Sequence, residues 1–191
     1  MLQLILGLVL FLGTHSVSIV RPDLRAQVVA RAGEIPWKLV YGVLSVIGLV
    51  LIVLGYGAMR ATDPVLLYTP PVWLRHVSLL LMLPAFSLLL AAYLPGRIQR
   101  AVKHPMLLAV KIWATAHLLA NGTLADVLLF GSFLAWAVAD RISLKRRVQP
   151  TVPAAPAGRW NDLIALAGGL FLYVAFLLFL HRWLMGVSPI G

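Results

Sequence analysis

Apolar residues in this 191-residue chain come in long unbroken runs, not in the stripes or alternation of a soluble domain. Six runs approach the roughly 17–25 residues that a helix needs to cross a hydrocarbon core. They are Leu2–Val20, Leu39–Met59, Leu74–Leu94, Pro105–Ala120, Leu124–Ala139 and Leu163–Leu184. The pattern predicts an all-α, polytopic membrane helix bundle of about six transmembrane helices, forming a single domain over residues 1–191. No basic stretch precedes the first run and no small-residue cleavage pattern follows it, so it is expected to stay as a helix. Asn121-Gly122 suits a left-handed cap between the fourth and fifth helices. Thr123 and Asp126 then have the spacing of a capping box. On the second helix Gly42, Ser45, Gly48 and Gly55 offer close helix–helix contact.

Charge adds an orientation. The chain is 61% hydrophobic and 12% charged, yet its net charge is +10. Arg21, Arg25, Arg31 and Lys38 lie in or beside the first loop, and Arg97, Arg100 and Lys103 in the third. Arg141, Lys145, Arg146, Arg147 and Arg159 lie in the fifth. Only Arg60, Arg75 and Arg182 fall on the other side. The positive-inside rule therefore puts the odd loops in the cytoplasm and both termini on the opposite face. This topological reading accounts for the basic charge without a nucleic-acid partner; the partner it requires is the lipid bilayer. Trp37, Trp73, Trp160 and Trp183 mark helix ends, as an aromatic belt would. Residues 147–160 (RVQPTVPAAPAGRW) read as a solvated Pro/Ala-rich cytoplasmic linker before the last helix.

Candidate chemistry rests on a few polar side chains, since the chain has no cysteine. Such groups inside a bilayer are costly and mark function by default. His15 lies in Gly-Thr-His-Ser on helix one and His117 in Trp-Ala-Thr-Ala-His on helix four. Two imidazoles on separate helices suit axial ligation of a porphyrin iron. They suit hydrogen bonds to backbone carbonyls or to Ser and Thr neighbours equally well. His117 lies about 20 Å from the cytoplasmic end of its helix and His15 about 9 Å from the same side, so a shared iron demands tilt. His76 and His181 read as interfacial. Arg100, Lys103 and His104 form a basic cluster before Pro105, suited to lipid headgroups, an anionic substrate group or simple anchoring. Lys111 shares a helix face with His104. It can snorkel, meet a carboxylate or propionate, or pair with Asp126, and the last is the expectation. Asp140 and Arg141 are expected to anchor the end of helix five.

Three segments carry a resemblance: FLGTHS, the long run from Tyr93 to Arg141 (YLPGRIQRAVKHPMLLAVKIWATAHLLANGTLADVLLFGSFLAWAVADR), and the closing HRWLMGV. On these the chain resembles the NnrU family of bacterial membrane proteins over nearly its whole length. The resemblance implies a bacterial inner-membrane location with periplasmic termini and a link to nitrate and nitrite respiration or nitric-oxide metabolism. It also implies respiratory partners such as the nitric oxide reductase system. The family is similar in turn to the 15-cis-zeta-carotene isomerase, a b-haem membrane enzyme. That enzyme's haem-ligating histidines fall on His15 and His117, which implies haem b with these two as axial ligands. Ala114 stands where the isomerase has a cysteine, so isomerase activity does not follow. A carotenoid-type cis–trans isomerase and a non-catalytic factor supporting the reductase system are the alternatives. Membrane methyltransferase activity is set aside, because the downstream Arg and paired glutamates of that pattern are missing.

Overall fold

The computed structural model describes residues 1–61, 64–147 and 154–190. Each predicted apolar run is helical over most of its length, the third ending at Ala91 and not Leu94, and among the described residues the only strand-like pairing is an isolated bridge between Leu66 and Thr123. The helices are α1 (Leu2–Val20), α2 (Leu24–Ala32), α3 (Glu34–Ala61), α4 (Trp73–Met82), α5 (Ala85–Ala91), α6 (Arg97–Val102), α7 (Pro105–Ala120), α8 (Leu124–Ser143), α9 (Asn161–Ala175) and α10 (His181–Met185). A π-helical turn, Phe176–Leu180, joins α9 to α10. The third predicted run is divided at Leu83–Pro84, because proline brings no N–H to the helical ladder.

Among the described residues four helical stretches are long and apolar enough to cross a membrane: Leu2–Val20, Glu34–Ala61, Trp73–Ala91 and Asn161–Met185. α7 is apolar but has 16 residues. α8 has 20, running past the predicted end to take in Asp140 and Arg141 besides Asp126. Large apolar side chains face outward along these helices, among them Val53, Phe171 and Phe179. Such a surface suits lipid and not water. Hydroxyls within the helices return to their own backbone: Thr14 donates to the Leu10 carbonyl and Ser45 to that of Tyr41.

The chain divides into two compact units, Met1–Thr69 with Asn121–Val148, and Pro70–Ala120 with Gln149–Gly191. In the first, α1 lies directly on α3 where glycines remove the side chains between them. A Cβ at Gly48 would come within 2.8 Å of the Phe11 nitrogen, and one at Gly7 within 2.6 Å of the Ile52 nitrogen. One at Gly55 would overlap the Leu4 backbone. Gly42 faces open space, so it takes no part in this contact.

The capping box forms as its spacing predicts: the Asp126 N–H donates to Thr123 Oγ1 (3.3 Å), and the Thr123 N–H to Asp126 Oδ2 (3.0 Å). Tyr56 Oη also donates to Asp126 Oδ1 at 2.6 Å, from α3. The Asn121-Gly122 turn is not left-handed, contrary to expectation. Segment 65–68 pins it instead. Leu67 and Tyr68 N–H groups donate to the Gly122 carbonyl at 2.9 and 3.2 Å, and the Tyr68 hydroxyl to the Asn121 carbonyl at 2.8 Å. Burial and the Asp126 carboxylate raise the Tyr68 phenol above its ordinary pKa. At the other end of α8, Asp140 pairs with Arg147 and not with Arg141 as the sequence suggested. Both side chains are largely buried, and seven residues of separation bring Arg147 back over the helix end.

In the second unit α5 packs on α7 and α9. Gly169 lies against the Ser87 backbone, where a Cβ would collide. Asp162 caps α6, accepting from the N–H groups of Arg97 (2.9 Å) and Ile98 (3.0 Å). Asn161 Nδ2 donates to the carbonyls of Pro95 and Pro156. Residues 154–160 of the predicted linker are exposed, and the Ala155 N–H donates to the Tyr93 carbonyl at 2.9 Å. Residues 148–153 of that linker lie outside the described residues.

Candidate functional site

His15 is half-buried on α1 in an aromatic cage. Its ring stacks on Phe11 at 4.2 Å between centroids and meets the rings of Tyr41 (5.3 Å) and Trp136 (6.1 Å) at steep angles. Its Nδ1 lies 2.7 Å from the Phe11 carbonyl oxygen, one helical turn back. A carbonyl only accepts, so Nδ1 carries a proton, and the neutral tautomer with that proton has its lone pair on Nε2. Beside it the Trp136 indole N–H is buried and has no acceptor. A buried donor in that condition asks for a partner that protein atoms do not supply.

His117 is held in the same way on α7. Its Nδ1 lies 2.8 Å from the Trp113 carbonyl oxygen, again four residues back. The Trp113 ring packs 5.4 Å away at a tilt. Ala114 and Ala116, fully buried, are the small residues between them. The two uses expected of these histidines, carbonyl bonding and metal ligation, are therefore compatible. The carbonyl takes Nδ1, and the donor nitrogen is Nε2. Metal-binding histidines are fixed by this kind of outer hydrogen bond, which sets both tautomer and ring direction.

His181 was expected to be merely interfacial, but the structure brings it to His117. The two rings lie 6.4 Å apart between centroids with a 21° angle between planes. Its Nδ1 too is held on a backbone carbonyl, that of Val187, at 2.7 Å. Little in the sequence announces this pairing, since it depends on the π-helical turn just before His181. Trp136 was likewise missed, because an orphaned N–H is a fact of packing.

The basic cluster sits at the start of α7. Arg100 and Lys103 are exposed and His104 is half-buried. Lys103 has φ 64° and ψ −43°, and the His104 N–H donates to the Val102 carbonyl at 2.8 Å. This is a γ-turn of the rarer, strained hand, centred on a lysine. It reverses the chain in the shortest space, so that α6 ends and Pro105 opens α7 within three residues. Lys111 lines a shallow cleft of about 240 Å³ with Leu81, Leu108, Ile112 and Thr115. It belongs to none of the described ion pairs, which are Arg25–Glu34, Lys38–Glu34 and Arg147–Asp140. The expected partner, Asp126, is engaged by Tyr56 and Thr123. Among the described residues no group of three or more His, Asp or Glu side chains could hold a bare metal ion. The donors available are paired imidazoles.

No curated protein and no solved structure matches the chain. The family model described as NnrU protein matches residues 3–189. With that match covering nearly the whole sequence, the chain belongs to the NnrU family.

Proposed function

We propose that this NnrU protein is a multi-pass protein of the bacterial inner membrane that binds b-type haem through His15 and His117. Its role would lie in nitrate and nitrite respiration or nitric-oxide metabolism. In this reading all six apolar helices span the bilayer, with both termini periplasmic and the basic loops, including Arg100, Lys103 and His104, at the cytoplasmic face. The observation that carries the proposal is the shared state of the two imidazoles, each with Nδ1 bonded to the carbonyl one turn back. That bond selects the tautomer able to ligate iron through Nε2. The donor chemistry fits the group, and the orphaned Trp136 N–H beside His15 fits a bound acceptor.

When bound, haem would supply electron exchange and, where nitric oxide or a substrate displaced one of the two imidazoles, an iron able to take it. The chain's own contribution is to fix the imidazoles and surround His15 with aromatic rings. Arg100, Lys103 and His104 offer positive charge to phospholipid headgroups or an anionic substrate group. Lys111 offers one to a propionate or other carboxylate. Carotenoid isomerisation gains no support from Ala114, which is buried and carries no donor atom.

The test is the visible spectrum of detergent-purified protein beside His15→Ala and His117→Ala. Wild type is expected to show six-coordinate, low-spin b-haem, lost in His117→Ala and altered in its ferric signal in His15→Ala. A folded wild type that takes up no haem after supplementation overturns the proposal. It would leave the reading of a non-catalytic factor for the nitric oxide reductase system.

A further inference from the structure

We infer that His181 is an alternate iron ligand, an imidazole donor beside His117 within the same unit that takes the place of His15 opposite His117 when His15 is missing. This rests on the haem reading above and adds to it a residue that the resemblance does not supply. Three local features, each independent of the others, converge on this one side chain.

The first is helical register. Gly169 lies against Ser87, the Tyr173 hydroxyl donates to the Leu79 carbonyl at 3.1 Å, and the Phe176 ring meets Phe86 at 4.9 Å. These three positions, spaced by four and three residues, define the inward face of the last helix. A regular α-helix would next present Leu180, four residues on. The π-helical turn Phe176–Leu180 adds one residue to that turn. The following face rotates by about 100°, and the inward position passes to His181. Single π turns inside α-helices occur often at functional sites, where they re-aim a side chain.

The second is the clamp on the ring. α10 ends at Met185, and Gly186 takes the left-handed conformation at φ 73° and ψ 0°. Glycine adopts this without the penalty of a Cβ. The chain turns back, and the Val187 carbonyl oxygen arrives 2.7 Å from His181 Nδ1. His181 thereby acquires the same tautomer as His117, with its lone pair on Nε2.

The third is the separation. Two imidazoles bound on opposite sides of one metal, with bonds of about 2.0–2.1 Å, hold their ring centres about 6.4 Å apart. His117 and His181 stand at 6.4 Å. A stacked pair in van der Waals contact would be much closer, as His15 and Phe11 are at 4.2 Å.

The experiment compares ferric EPR and visible spectra of wild type, His181→Ala, His15→Ala and the double variant, all purified with haem. We expect His15→Ala to remain six-coordinate and low-spin because His181 supplies the imidazole opposite His117. The double variant should turn high-spin, and millimolar imidazole should return it to low-spin. His181→Phe in the His15→Ala background keeps the ring volume without the donor and should behave as the double alanine variant does. If removing His181 leaves the coordination of the His15→Ala variant unchanged, the inference is overturned while the haem reading stands. A folded wild type without haem overturns the haem reading itself, and this inference with it.

Discussion

The two units hold an imidazole by the same backbone device and then surround it differently. In the first, His15 is tied to the Phe11 carbonyl and its neighbours are Phe11, Tyr41 and Trp136. None of these offers a ligating nitrogen, and Trp136 offers a donor with nothing to receive it. In the second, His117 is tied to the Trp113 carbonyl and faces another imidazole held by a carbonyl of its own. Setting the tautomer is therefore common to both units. The difference lies in the second neighbour: His15 has aromatic rings around it, whereas His181 gives His117 a partner of equal chemistry.

The supporting structure differs in the same sense. The first unit is held by close contact, with glycines bringing the α1 and α3 backbones together and one ion pair, Arg147–Asp140, largely buried. The second has unusual backbone at its two ends, the γ-turn at Lys103 and the π turn before His181. Strained or irregular backbone collects where a side chain must be placed against local preference.

The largest expected effect breaks this comparison at its centre. His117→Ala should abolish haem binding, measured as haem per folded chain, whereas His15→Ala should retain haem because His181 remains. Equal loss in both would mean that the units do not differ as described. Next comes Asp140→Ala, which leaves Arg147 charged, largely buried and without its carboxylate. Thermal unfolding in detergent should show a loss of about 3 kcal/mol. A value near zero would mean that Arg147 reaches water.

Gly55→Ala should cost about 2 kcal/mol through forced separation of α1 from α3, while Gly42→Ala should be neutral or slightly stabilising. Equal effects would deny that backbone contact holds the first unit. The smallest effect is also the most discriminating. Trp136→Phe removes an unsatisfied buried donor, so haem-free protein should gain about 1 kcal/mol. Haem affinity should nevertheless fall by about tenfold, as when an outer-shell partner is lost. Unchanged affinity would remove Trp136 from the site.

Much of this was readable from the chain. α1 and α7 occupy the residues their apolar runs marked, because a run bounded by Arg21, or opened by Pro105 and closed by Asn121-Gly122, leaves little freedom in its ends. The capping box of Thr123 and Asp126 was legible for the same reason: its four residues are local. Contacts between distant residues were not. Tyr56 reaching Asp126, Arg147 reaching Asp140, and Gly7 meeting α3 depend on how helices pack, and hydropathy has no record of it. Of the expected Lys111–Asp126 pair, Asp126 is engaged by Tyr56 and Thr123 within its own unit. His15 and His117 could be picked out as costly polar residues in apolar runs. His181 could not, because one extra residue in a single turn decides whether it or Leu180 faces inward.

That carbonyl-tied imidazoles in this fold bind b-haem is tested most directly by the pyridine haemochrome assay on purified, folded wild type. About one b-haem per chain is expected, bound without added haem or after brief supplementation, if His15 and His117 hold one iron with His181 as the alternate donor. A monodisperse, helical protein that remains haem-free under both conditions would contradict it.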